Sequence, residues 1–364
     1  MICVEECCEI LDSMRIPITA TERKAGKYPY YGANGIQDYV SDYIFDDELV
    51  LLAEDGGNFG SKERPIAYRV SGKCWVNNHA HVLKPKKEMN VDYLCYSLMF
   101  YNVEGIINGA TRQKLTQSAM RKMKIPIRGM EEQLKIVEKL NKIISIKEKR
   151  KQELQYLDEC VNARFVEMFG DPVSNSYGLP EATLPELGEF GRGVSKHRPR
   201  NDPQLLGGKY PLIQTGDIAN ADLFISAYTS TYSEMGLKQS KMWSKGTLCI
   251  TIAANIAKTA ILEFDACFPD SVVGFNANEK TNNIFIHYWF SFFQAILEAQ
   301  APESAQKNIN VKILSELKII LPDKGKQDEF VEFIKQIDKS KVAVQKALDE
   351  AQLLFDSLMQ EYFG

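Results

Sequence analysis

The chain has 364 residues, 45% of them hydrophobic and 25% charged, with a formal net charge of −4 at pH 7. That composition excludes a disordered chain, and the length exceeds one compact core, so two domains are expected. The acid excess argues against a strongly basic nucleic-acid binder that acts alone.

The N-terminal residues Met1-Ile2-Cys3-Val4-Glu5-Glu6 are acidic where a secretory leader would be basic. Short β-branched and aromatic runs bounded by Gly, Pro, Asn and Asp follow, at residues 49–53, 66–70 and 74–77, and predict strands. An apolar helix is expected over residues 91–101. From 131 to 168 there is no Gly or Pro, and Val137, Leu140, Ile144, Leu154, Val161, Phe165 and Met168 fall on heptad a and d positions, interrupted by Lys147, Lys151 and Asp158. This predicts a helix of about 38 residues, roughly 57 Å long at 1.5 Å per residue.

The second half repeats this plan. Gly208-Lys209-Tyr210-Pro211 echoes Gly26-Lys27-Tyr28-Pro29, a strand is expected at 260–264, and the helix at 284–297 carries Tyr288, Trp289, Phe290, Phe292 and Phe293, read as core. The strand at 49–53 and the loop after it find a counterpart in residues 247–255, but the interiors of the halves differ. The strongest signal is a constant offset of 194, at which Leu115 recurs as Ile309, Met123 as Leu317, Ile125 as Ile319, Gln133 as Gln327 and Lys147 as Lys341. A register held for about 55 residues without a gap marks a tandem duplication. The second helix therefore repeats the stripe as Val331, Ile334, Leu348 and Phe355, and the polar centre as Asp338, Lys341, Gln345 and Gln352.

The expected fold is α+β, a tandem repeat of two α+β domains, each followed by a long α-helix. A second helix leaving the far domain buries both stripes by running back along the first. The two helices would then form an antiparallel coiled coil with pseudo-two-fold symmetry. The alternative is that each helix packs on its own globular half.

Catalytic and metal chemistry are not expected. Cys3, Cys7, Cys8, Cys74, Cys95, Cys160, Cys249 and Cys267 form no C-x-x-C pair and do not match between repeats, which suits reduced thiols in a cytoplasmic protein. His79, His81, His197 and His287 have no metal-ligand spacing. The uncharged run 281–297 is too polar to span a bilayer. A methyltransferase would need a Gly-rich cofactor loop and an N/D-P-P-aromatic motif. Gly191-Arg192-Gly193 lacks the third glycine, and Asp171-Pro172-Val173 lacks the second proline and the aromatic. A nuclease would need clustered carboxylates with a lysine, and Pro322-Asp323-Lys324 is too thin.

The stretches Tyr28-Pro29-Tyr30-Tyr31-Gly32-Ala33-Asn34-Gly35-Ile36, Glu54-Asp55-Gly56, Trp75-Val76-Asn77-Asn78-His79-Ala80-His81-Val82-Leu83 and Phe169-Gly170-Asp171-Pro172, with the order half, helix, half, helix, resemble the DNA specificity subunit of type I restriction-modification systems. The resemblance covers essentially the whole chain. It implies target recognition domains at 1–127 and 173–321 and spacer helices at 128–172 and 322–364. It also implies recognition of a bipartite, asymmetric target in double-stranded DNA, with methyltransferase and restriction/translocase subunits as partners. No cofactor would be bound by this chain; S-adenosylmethionine would sit on the methyltransferase partner, and ATP and Mg2+ on the restriction partner. A protein-binding scaffold, and the recognition subunit of a related methyltransferase system without a translocating nuclease, stay open as alternatives.

A duplex reader needs cations for phosphates and amide or guanidinium groups for base edges. In the first half the candidates are Arg23, Lys24, Tyr30, Tyr31, Asn34, Asn77, Asn78, His79, Arg112 and Lys114. In the second they are Arg192, Lys196, His197, Arg198 and Arg200, with Lys307 and Asn308. The run 192–200 contains no acid, so its cations would repel one another unless an anion relieves them. Tyr30 and Tyr31 could equally anchor a turn, Asn77 and Asn78 could cap a strand, and His79 could be a core histidine. The excess acid lies mainly in the last helix, which suits a protein partner better than phosphate and leaves much of the DNA affinity to the assembled complex.

Overall fold

The computed structural model describes residues 1–109, 113–253, 255–300 and 309–364. The chain divides into two compact units, Met1–Gln152 with Gln345–Gly364, and Glu153–Val344.

The first unit is built on a six-stranded sheet in the order Cys8–Ile10, Ala80–Pro85, Phe45–Ala53, Ala67–Val76, Ala25–Gly32, Gly35–Val40. Its central strand Phe45–Ala53 is a continuous apolar run from Leu49 because both faces are covered. Alternation sends Val50 and Leu52 toward a core that includes Leu94 and Leu98 of the helix Val91–Met99, and Leu49 and Leu51 toward Phe45, Val70 and Val82. Asn90 starts that helix, its side-chain oxygen accepting from the amides of Asp92 and Tyr93 at 2.9 and 3.0 Å. The runs 66–70 and 74–77, expected as separate strands, are largely one. Ala67–Val76 keeps an unbroken register against Phe45–Ala53 from Ala67↔Leu52 to Cys74↔Phe45, passing through Gly72 at φ +75°. That positive φ needs glycine and lets the strand continue where the polar residues suggested a break.

The second unit carries a five-stranded sheet, Gly188–Arg192, Val272–Ala277, Leu248–Thr251, Thr259–Leu262, Phe224–Ile225, whose first four strands follow the connectivity of the first four above. Beyond them the units diverge. Ala67–Val76 runs on to pair in parallel with Ala25–Gly32, Tyr30↔Trp75. In the second unit the chain breaks after Leu262, and Ala266–Cys267 pairs in parallel with Leu206–Leu212 inside a separate four-stranded sheet. In the helix Asn283–Gln300, Phe285, Trp289 and Phe290 are fully buried, and Tyr288, Phe292 and Phe293 pack against the same core.

The duplication extends to individual contacts. The short strand Ile2–Cys3 pairs with Lys124–Ile125, and Glu181–Ala182 pairs with Ile319–Ile320. Glu6 accepts from the Cys3 amide and Glu186 from the Thr183 amide, each at 2.7 Å. Lys27 lies over the Tyr28 ring at 5.3 Å and Lys209 over Tyr210 at 5.2 Å, so the echoed Gly-Lys-Tyr-Pro segments keep one cation–π contact.

The two long helices, Met130–Phe169 and Lys324–Phe363, have 40 residues each. Within the first unit they pack antiparallel: Lys139 Nζ reaches the Tyr362 hydroxyl at 3.2 Å and Lys147 lies 4.9 Å over Phe355. Within the second unit Asp158 pairs with Lys341 at 2.5 Å and Arg164 with Glu329 at 2.8 Å, again antiparallel. Val137, Leu140 and Phe355 are buried in the first unit's core, with Ile144 packed against it, and Val161, Phe165 and Ile334 are buried in the second's. Leu154, Val331 and Leu348 are half-buried and lie outside both cores.

Candidate nucleic-acid interface

In the second unit the loop after Gly188–Arg192 carries the expected cations on its surface; Arg192, Lys196, His197, Arg198 and Arg200 are all exposed. Gln239 fixes the loop backbone, its side-chain oxygen accepting from the amides of Lys196 and His197 at 2.7 and 3.1 Å. The charge is not uncompensated, which corrects the sequence argument. Asp270 accepts Arg198 at 3.2 Å, pairs with Arg200 and takes the Arg192 Nε–H on its backbone oxygen, while His197 meets Asp202 at 3.0 Å. Asp270 comes from the turn before Val272–Ala277, brought to the loop by the pairing Arg192↔Val273, so a local window could not show it. Four full cations still face two carboxylates. The acids hold the cluster together and leave it with an excess of positive charge.

In the first unit the candidates separate. Tyr30 is buried, its hydroxyl bonded to the amide and carbonyl of Ile18, with Arg23 stacked 4.2 Å over its ring. Asn77 is also buried, donating to Gln37 at 3.1 Å and accepting from the His79 amide at 2.8 Å. These two are turn and strand-end anchors: their polar atoms are used inside the fold, and they leave the proposed contact surface. Lys24, Asn34 and Asn78 are exposed, Tyr31 is half-buried, and His79 faces Asp55 at 2.7 Å. Arg112, Lys307 and Asn308 lie outside the described residues.

Lys114 belongs to a polar network that spacing did not reveal. Asp12, Glu54 and His81 bring ligand atoms within 4.8 Å of one another. Their neighbours are already cations and amides: Arg15 and Lys114 bind Glu54 at 2.6 and 3.0 Å, Gln117 donates to Asp12 at 2.8 Å, and His81 meets Asp12 at 2.7 Å and the Leu115 carbonyl at 2.9 Å. Burial alone would raise both carboxyls, yet His81 and Gln117 hold Asp12, and Arg15 and Lys114 hold Glu54, below the ordinary range. The cations and amides around the cluster satisfy its carboxylates as an ion-pair network. It tethers residues 114–117 to the sheet, where the Leu115 amide also donates to Glu54 O at 2.7 Å. At the repeated position the Ile309 amide donates to Ile252 O at 2.9 Å, so each unit pins the segment that follows its helix in the same way.

Cys7, Cys8, Cys74, Cys95, Cys249 and Cys267 are buried free thiols. Among the described residues no helix is long and apolar enough to cross a membrane.

This architecture, two sheet-based units tied to long helices and differing in their exposed loops, is that of the type I restriction-modification DNA specificity domain, whose family model matches residues 1–156 and 181–351. The chain belongs to that family. A type I restriction enzyme specificity subunit from Haemophilus influenzae is 26% identical over 340 residues, 92% of this chain and 86% of the relative. The MjaX specificity subunit from Methanocaldococcus jannaschii is 21% identical over 286 residues, 73% and 67% of the two chains. The crystal structure of the type I S subunit from M. genitalium shares the fold at TM-score 0.59 and 14% identity, covering 100% of this chain and 95% of that one. A chain from a structural study of complex assembly in the type I system aligns at TM-score 0.60 and 15% identity, covering 100% and 96%.

Proposed function

We propose that this chain is the non-catalytic, sequence-reading subunit of a type I restriction-modification complex, which binds a bipartite, asymmetric target in double-stranded DNA. Methyl transfer from S-adenosylmethionine would be the work of methyltransferase subunits, and ATP- and Mg2+-dependent cleavage that of restriction subunits. The observation that carries this reading is a duplicated frame with divergent exposed chemistry. The helix ends, short strands and capping contacts recur, while the cation cluster at 192–200 has no counterpart among the described residues of the first unit. Two readers that share a frame and differ in their loops suit two different half-sites.

Salt titration of DNA binding by the chain assembled with its methyltransferase subunits tests the reading. Affinity should fall steeply with salt and differ between target and unrelated duplex. The Lys196→Ala/Arg198→Ala/Arg200→Ala variant should weaken both and flatten the slope by about 1 to 3 units, roughly 0.9 for each phosphate that is no longer neutralised. Binding independent of salt would instead support a protein-binding scaffold.

A further inference from the structure

The first unit holds a cavity of about 510 Å³ between the turn that joins Ala25–Gly32 to Gly35–Val40 and the loop leading into Ala67–Val76, lined in part by Tyr31, Asn34, Ile36, Asn58, Arg64 and Tyr68. Its frame is built by internal bonds. Asn34 Nδ2 donates to Gly56 O at 2.9 Å, the Tyr68 hydroxyl donates to Gly32 O, and Ser61 Oγ accepts from the amides of Glu63 and Arg64 at 3.2 and 2.9 Å. The Tyr31 and Tyr68 rings stand 5.8 Å apart at 35°, giving one wall aromatic surface. Three polar groups on this lining, the Tyr31 hydroxyl, the Asn58 amide and the Arg64 guanidinium, have no hydrogen-bond or ion-pair partner among the described residues.

We infer that this cavity reads a guanine edge in the half-site bound by the first unit, with Arg64 as a specificity-determining residue supported by Asn58 and Tyr31; the inference rests on the DNA-reading function proposed above. Among the described residues no acid lines the cavity, so the guanidinium is free for an acceptor pair, and guanine N7 and O6 match its fork. A lone phosphate fits less well. It is strongly hydrated, and aromatic and aliphatic walls from Tyr31, Tyr68 and Ile36 offer it nothing, whereas they pack against a base or its sugar. Sequence reading passed over Arg64 because it stands alone between Glu63 and Pro65, without the clustering that marks a basic patch.

The test uses the full chain assembled with its methyltransferase subunits and synthetic duplexes that carry the target defined by methylome sequencing, with each base pair of both blocks changed in turn. Arg64→Ala should lower affinity for the intact target about 10- to 100-fold. It should also abolish discrimination at one G·C position of one block and leave the other block and the salt slope unchanged. Arg64→Lys, which keeps the charge and loses the fork, should not restore discrimination. A uniform loss on all duplexes with a shallower salt slope would make Arg64 a phosphate contact and overturn the inference. So would unchanged discrimination at every position, or a target whose blocks contain no G·C pair. A wild-type complex with no sequence preference at all would overturn the proposed function itself, which separates the two failures.

Discussion

Gln133 and Gln327, 194 positions apart in the sequence, each donate to two backbone carbonyls and accept one hydrogen bond at the base of their helices, and both are fully buried. Gln133 donates to the carbonyls of Glu88 and Arg128 at 3.0 and 2.8 Å and accepts from the Asn90 amide at 2.8 Å. Gln327 donates to Lys280 and Pro322 at 3.1 and 2.8 Å and accepts from the Thr281 hydroxyl at 2.8 Å. One side chain thus fastens each long helix to the turn that starts the apolar helix of its unit.

Removing it leaves two carbonyls and an amide or hydroxyl without their protein partners in part-buried surroundings. Gln133→Leu and Gln327→Leu should each destabilise their unit by about 2 to 4 kcal/mol, more than an exposed substitution on the same helix. Chemical denaturation of each variant checks this; a loss below about 0.5 kcal/mol would show that water satisfies these groups.

The repeat also exposes an unequal pair. Lys341 is held by Asp158 at 2.5 Å and Asp222 at 3.0 Å, and these bonds outweigh burial to raise its pKa. Lys147, its counterpart at the same offset, is pushed down by burial and then by Lys151, and Gln352 stands where the repeat would place Asp158. Gln352→Asp should supply the missing acid and raise stability by up to about 1 kcal/mol, an effect that fades in high salt. The same change in Lys147→Met should gain nothing, and denaturation midpoints of the four proteins in this cycle decide it.

Acid should act on the second unit through His287. Burial pushes its pKa from 6.5 down to about 4, against opposing pulls from Asp222 and from Thr259, whose Oγ1 lies at 3.0 Å. The unfolded chain takes a proton near 6.5 and the folded one resists until about 4, so the contribution is complete above 6.5 and is lost as pH falls toward 4. Thermal unfolding at steps across that window should show a Tm that falls less in His287→Gln than in the wild type. Parallel pH curves would contradict the assignment.

How far the sequence was legible follows from the range over which each feature is encoded. The duplication, the two helices and their apolar stripe are written in local periodicity, and they emerge two residues longer than expected because Met130 and Phe169 extend the first turn and the last. The strand across Gly72 was hidden by a backbone conformation that residue type alone does not declare. Tyr30 and Asn77 looked like readers because their chemistry suits a reader; only the sheet shows that Ile18 and Gln37 already occupy them. Asp270 and the network of Asp12, Glu54 and His81 join residues about 70 positions apart or more than 25, which no window of spacing can relate.

The most direct measurement is the methylome of a host that expresses this chain with its methyltransferase partner. Modified sites should consist of two short, different blocks separated by unspecified bases, and exchange of residues 1–127 for those of a relative should replace one block and leave the other. A single continuous or palindromic site, or an exchange that alters both blocks or neither, would contradict this expectation.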